Sequence, residues 1–271
     1  MPGTRMHVPY KARVAEFFDA RSGYGRSELH ARMAERFLDL AAPQPGERVL
    51  DIATGTGFVA IPAARLVGDG GQVVGVDISE GMLAQAAAAL AESGLDNLDL
   101  RLADAEDLDF PAASFDLVTC CNALPYMADV SAALRRWHAL LRPGGRLVFN
   151  CWAGNSHATG HLLRSLAGTQ GIYVSPVGHD TGTPERCHAL LAETGYSRSD
   201  VIVEPTSNYL SAEHLNDVLA SALKSPLFGI AADDAIRIEA LRNEYLEAAR
   251  STEVLESLER EVGAYFVVAY R

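Results

Sequence analysis

The chain is short of positive charge: 23 Lys and Arg face 35 Asp and Glu over 271 residues, a formal net charge of −12. A phosphate backbone would be repelled by that field, so nucleic acid is not expected as a partner, and the Arg135-Arg136 pair reads as a solvated helix face. Cysteine is scarce as well. Cys120, Cys121, Cys151 and Cys187 show no CxxC spacing, so no metal is expected. With no secretory pattern ahead of them, they read as the reduced thiols of a cytoplasmic protein. No apolar run approaches the ~18 uninterrupted residues of a membrane span. There is no internal repeat, and the tract Ala86 to Ala89 is simply strong helix former. What is present is a chain 48% hydrophobic and long enough to bury a substantial core as one α/β domain with added helices.

The segment Val49-Leu50-Asp51-Ile52-Ala53-Thr54-Gly55-Thr56-Gly57-Phe58 is an apolar run that meets an acid and breaks into a glycine turn. Its β-branched and aliphatic residues suit a buried parallel strand. Gly55 and Gly57 allow positive φ and a close approach of ligand to bare backbone, and helical character follows from Phe58 to Leu66. Such a unit sets backbone N–H groups and a helix N-terminus around a small ligand, at the carboxyl end of a doubly wound sheet. The glycines alone leave the ligand open, because Gly55 to Ala60 also satisfies the GxGxxA form of a dinucleotide fingerprint. Asp51 weighs against a pyrophosphate, which it would repel, and could attract an ammonium group. Asp77 closes the next apolar run, residues 72–76, one βαβ step later. There it could accept both hydroxyls of a ribose, a group that NAD and S-adenosylmethionine (SAM) share.

Residues 100–108 read as a third strand running into an acidic turn, where Asp104 could accept from an adenine amino group. Residues 114–124 read as a fourth buried strand that opens with Asp116 and reaches the crevice at polar Asn122; Cys120 and Cys121 are expected to pack within it as small hydrophobes. After a helix, Leu141-Arg142-Pro143-Gly144-Gly145 is a turn feeding a fifth strand through Phe149.

These five segments, in this order, resemble the class I SAM-dependent methyltransferases, and within them the UbiE-like and type 11 small-molecule enzymes. The resemblance rests on the loop Asp51 to Gly57, on Asp77 followed by Ser79-Glu80-Gly81-Met82-Leu83, on the Asp104-Ala105 pair, on Phe115-Asp116-Leu117-Val118 and on the Pro143-Gly144-Gly145 turn. It is close over residues 35–152 and architectural elsewhere. It implies an α/β Rossmann-like fold whose seven-stranded sheet is mostly parallel with an antiparallel last strand. It further implies SAM as methyl donor, S-adenosylhomocysteine (SAH) as product, and a small-molecule acceptor methylated on O, N or C, in secondary metabolism or on a quinone-type compound. A SAM-binding enzyme that does not methylate, such as a cyclase, is the alternative, because function lives in the site and not in the fold. On the resemblance the cofactor contacts are Asp51, Ala53, Gly55, Thr56, Gly57, Asp77, Ile78, Met82, Asp104, Ala105 and Asn122. Tyr24 is added as an aromatic hydroxyl reaching the amino-acid end, with an ordinary packed tyrosine as the other reading.

Residues 1–42 carry helical periodicity in Val14, Phe17 and Phe18, and again in Leu29, Met33, Phe37 and Leu38, with a break at residues 21–25. They are expected to form a helical cap on a SAM-binding domain of residues 43–271. Within that domain helices are expected over residues 157–169 and 184–193, a sixth strand at 201–203 and a closing strand at 264–270. A helical insertion over about residues 211–260 precedes the last strand, as an acceptor lid or as extra core for a monomer or homodimer. Acceptor contacts are expected from Tyr126, Cys151, Trp152 and Tyr173. His157 is the first choice for a base or acceptor orienter among His7, His157, His161, His179 and His214.

Overall fold

The structure is a computed structural model that describes residues 4–22, 28–152, 158–170, 181–206, 226, 235–248 and 262–271. Seven strands among these form one sheet: β1 (Arg48–Ile52), β2 (Gln72–Asp77), β3 (Leu98–Leu102), β4 (Phe115–Cys120), β5 (Leu141–Trp152), β6 (Arg198–Thr206) and β7 (Val262–Tyr270). Their spatial order is β3-β2-β1-β4-β5-β7-β6. Strands β1 to β5 pair in parallel, and β7 runs antiparallel between β5 and β6. The order reverses beside β1, so the crevice at the carboxyl ends of β1 and β4 is the place where a doubly wound sheet binds ligands.

The central strands read as near-continuous apolar runs because both faces are covered. Leu50, Ile52, Val74, Val76 and Val118 pack on one face with Trp137 and Leu134. Those two come from α5 (Val130–Leu140), and α7 (Pro184–Glu193) adds Leu190 and Leu191. Val49, Val73, Leu117 and Val148 pack on the other face with Phe37 of α2 (Glu28–Ala41) and Ala60, Ala63 and Ala64 of α3 (Ala60–Val67). Between β2 and β3 lies α4 (Glu80–Ser93), capped by Ser79, whose hydroxyl accepts the Met82 N–H at 3.0 Å. Ahead of the sheet, α1 (Thr4–Asp19) docks on the start of α4 through Asp19, whose Oδ1 accepts from Ser79 Oγ at 2.6 Å and from the Gly81 N–H at 2.8 Å.

Several boundaries differ from the sequence reading for identifiable reasons. The third helix begins at Ala60, not Phe58, because residues 55–59 are spent in the turns that lead out of β1. The fourth strand ends at Cys120, since Asn122 takes a left-handed conformation with φ of +57° and breaks the ladder. The Pro-Gly-Gly turn is absorbed into an irregular start of β5, with a register break opposite Phe115 and Leu117. The eighth helix, α8 (Ala235–Ala248), falls in the expected insertion and packs against α6 (Ala158–Thr169), with Leu241 and Tyr245 buried. Apart from Pro226, the rest of residues 211–260 lies outside the described residues.

Candidate active site

Two clefts open at the carboxyl ends of β1, β2 and β4 and share the wall made by Ala53, Gly55, Cys121 and Asn122. The larger, about 720 Å³, runs over the ends of β2 and β3 between Asp77, Ile78 and Met82 on one side and Asp104, Ala105 and Tyr126 on the other. The smaller, about 470 Å³, lies over Asp51, Thr56 and the start of α3.

The period of two along a strand decides which acids face this region. Asp51 is 1% exposed and stands opposite Thr119 in the β1–β4 register. Thr119 Oγ1 donates to Asp51 Oδ1 at 2.7 Å, while Oδ2 is buried with no hydrogen-bond partner among the described residues. Burial pushes the Asp51 carboxyl up to about 6, against the opposing pull of the Thr54 and Thr119 hydroxyls. A half-satisfied buried carboxylate is costly, and a cationic donor arriving in the cleft would complete it.

Asp77 is built differently. Its Oδ2 accepts the Gly55 N–H at 2.8 Å and its Oδ1 accepts the Ser79 N–H at 2.9 Å. The carboxylate therefore ties the glycine loop to the end of β2, and Asp77 lines the larger cleft. Burial holds it above the ordinary carboxylate range, opposed first by the Ser79 and Gly55 N–H groups. Asp104 is ion-paired to Lys11 of α1, which also lies 3.3 Å from Glu106, and its Oδ1 accepts the Glu106 N–H at 2.9 Å. The sequence placed Asp104 here but gave no hint that a cation from the N-terminal helix would meet it. Lys11, Val14 and Phe18 make α1 a wall of the larger cleft, and Phe18 packs edge-to-face on Tyr126 with ring centroids 5.1 Å apart.

The other expected residues divide clearly. Ile78, Met82 and Ala105 line the larger cleft; Met82 is also 1% exposed, so it serves packing and cleft together. Thr56 lines the smaller cleft. Gly57 borders neither of these two; its φ is +83° and it lets the chain turn into α3. Cys121 is a correction: it lies beyond β4 and lines both clefts instead of packing inside the strand. Burial and the neighbouring Asp51 hold its thiol well above the ordinary range, so it stays protonated and is no nucleophile at neutral pH. Cys151 is a second correction. Its thiol points away from the clefts, into the core, where it faces the Thr181 carbonyl oxygen at 3.7 Å and the Cys187 sulfur at 4.0 Å. One residue toward its N-terminus, Asn150 faces the site. Tyr24, His157 and Tyr173 lie outside the described residues, as do the side chains of Trp152, His7, His161, His179 and His214.

Comparison with known proteins speaks to the same region. A family model described as a methyltransferase domain matches residues 49–145. Residues 49–145 therefore carry a methyltransferase domain. The chain is 44% identical over 135 residues to nocamycin O-methyltransferase of Saccharothrix syringae, a match covering 50% of this chain and 47% of that protein. It is 42% identical over 143 residues to aklanonic acid methyltransferase DauC of Streptomyces sp. (strain C5), covering 52% and 65%. It is 39% identical over 136 residues to the ubiquinone/menaquinone biosynthesis C-methyltransferase UbiE of Teredinibacter turnerae, covering 50% and 55%. The chain thus spans about half to two thirds of these curated relatives. Among solved structures, the [4+2]-cyclase SpnF superposes with a TM-score of 0.58 at 21% identity, over 92% of this chain and 85% of that one, and this likeness shows the fold.

Within the methyltransferase domain, Gly57 gives a direct test of the loop. A Cβ there would sit 2.9 Å from Ile61 Cδ1, a side-chain end that can shift, so the positive φ dominates the cost. Gly57→Val is expected to lose about 1–3 kcal/mol of stability from backbone strain and to weaken SAM binding at least tenfold as Thr56 and Phe58, on either side of it, shift in the wall of the smaller cleft. Urea unfolding and titration calorimetry would read the two effects separately.

Proposed function

We propose that this protein is a SAM-dependent methyltransferase of a small-molecule acceptor, with O-methylation in secondary metabolism as the leading activity. The buried Oδ2 of Asp51, without a hydrogen-bond partner among the described residues, carries this reading. It provides an acceptor site for an ammonium group in the wall of the smaller cleft, beside the start of α3. The donor set fits a molecule that has an α-amino-acid end and a nucleoside end. Asp51 would take the ammonium, Asp77 the ribose hydroxyls, and the Asp104-Ala105 turn the adenine edge, with Ile78 and Met82 against the base. The names of two relatives, an O-methyltransferase and an acid methyltransferase, support a small oxygen acceptor.

SAM bound here would supply a methyl group already activated on a sulfonium, so the protein's own task is alignment and exclusion of water. Ala53, Cys121 and Asn122, shared by the two clefts, mark where the two ends of such a ligand meet. The Phe18 and Tyr126 rings, packed edge to face, form an apolar wall of the larger cleft. No protein nucleophile is needed, in keeping with the protonated state of Cys121. His157 would serve as the base if the acceptor is a hydroxyl.

Titration of the purified protein should show saturable binding of SAM and of SAH, and none of NAD. Incubation with SAM and a panel of phenolic and carboxylic acceptors should release SAH. Tight SAM binding with no SAH released on any acceptor would favour the non-methylating alternative, and absence of SAM binding would end the proposal.

A further inference from the structure

Asn122 and Asn150 form a closed pair whose orientation follows from hydrogen-bond chemistry alone. The Asn122 backbone N–H can only donate, and it donates to Asn150 Oδ1 at 2.7 Å. The other end of the Asn150 amide must then be its NH2, and this donates to the Asn122 side chain at 2.6 Å. The atom that receives it must be Asn122 Oδ1. By elimination the Asn122 Nδ2, a donor with two protons, is turned out of the pair. Asn150 is 1% exposed near the end of β5, so the arrangement is held from within the core. Asn122 sits in the left-handed region at φ of +57°, a conformation asparagine tolerates better than most residues and which the two bonds to Asn150 help maintain.

The place of this donor matters. Asn122 lines both clefts, and in the smaller one it shares the walls with Asp51, whose Oδ2 is an unsatisfied acceptor. Asp51 and Asn122 thus stand in the wall of one cleft, an acceptor and a donor that together complement a zwitterion. We propose that the Asn122 NH2 donates to the carboxylate of the ligand's α-amino-acid end, and that Asn150 is the positioning residue that keeps that donor turned outward. This inference rests on the SAM reading above and adds a recognition element at the junction of the clefts.

The test compares SAH with 5′-methylthioadenosine, which keeps the adenosine and the thioether but lacks the amino-acid end. Binding of both is measured by calorimetry on the full chain. Asn122→Gly keeps the left-handed backbone without strain and removes the donor. Asn150→Asp still accepts the Asn122 N–H but cannot donate, so it draws the Asn122 NH2 inward and turns its carbonyl oxygen to the cleft. Each variant should bind SAH about 10- to 100-fold more weakly than the parent, the range expected for loss of a hydrogen bond to a charged group, while the affinity for 5′-methylthioadenosine changes less than about twofold. Equal weakening toward both probes would show a merely structural pair and overturn the proposal, as would unchanged SAH affinity in Asn122→Gly. A parent protein that binds neither probe would instead overturn the SAM reading itself.

Discussion

Asp51→Asn should make the ligand-free protein more stable while costing it its ligand. The folded carboxyl titrates at about 6 against an ordinary 3.8, because burial disfavours its charge. Between those values the folded chain holds a proton that the unfolded chain has released. Stability therefore falls as the pH rises from about 4 through about 6, and above that the penalty is complete. A gap of this size corresponds to roughly 3 kcal/mol. Asparagine has nearly the same shape, can still accept from Thr119 Oγ1, and carries no charge to desolvate. Urea unfolding should find the variant more stable by up to roughly 3 kcal/mol at pH 7.5 and close to the parent at pH 4. SAM affinity should fall by at least about 100-fold, since the ammonium loses its buried counter-charge. A variant that is less stable at pH 7.5, or that binds SAM as the parent does, would show that Asp51 serves the fold and not the ligand.

Trp137→Ala is expected to be the most damaging single substitution away from the clefts. Trp137 is completely buried in α5, and its Nε1–H donates to the Ala105 carbonyl oxygen at 2.9 Å. That bond holds the turn carrying Asp104 against the core, in company with the Asp107 N–H donating to the Asp104 carbonyl at 2.9 Å. Truncation to alanine should cost about 3–5 kcal/mol through the cavity it leaves, read as a lower urea midpoint. Trp137→Phe retains most of the volume and removes only the donor. It should cost about 1–2 kcal/mol and weaken SAH binding through the loosened turn. If Trp137→Phe were neutral for both stability and SAH affinity, the bond would have no part in shaping the adenine end of the cleft.

Legibility in the sequence followed the range of the interactions. The sheet and its helices could be read because their signals are local: apolar runs of β1, β2 and β4, and Pro184 at the start of α7. Boundaries were read less well where one residue's conformation decides them. Nothing local shows that Asn122 would turn left-handed and end β4 at Cys120, thereby moving Cys121 from core to cleft. Cys151 misled for the opposite reason. Its position near the end of β5 is where acceptor residues gather, but alternation along the strand sends its side chain inward to Cys187 and puts Asn150 toward the site. A parity count along β5 would have singled out Asn150.

By itself the sequence determined the order of the elements, the glycine loop and the three acids near successive strand ends, since each depends on residues a few positions apart. Only the tertiary structure decided how those acids differ. Asp51 has a buried oxygen without a hydrogen-bond partner among the described residues, Asp77 is bound to the loop, and Asp104 is met by Lys11 from 93 positions away. The physical reason is that desolvation and hydrogen bonding, which distinguish one carboxylate from another, are set by neighbours that chain folding brings together and that no local pattern records.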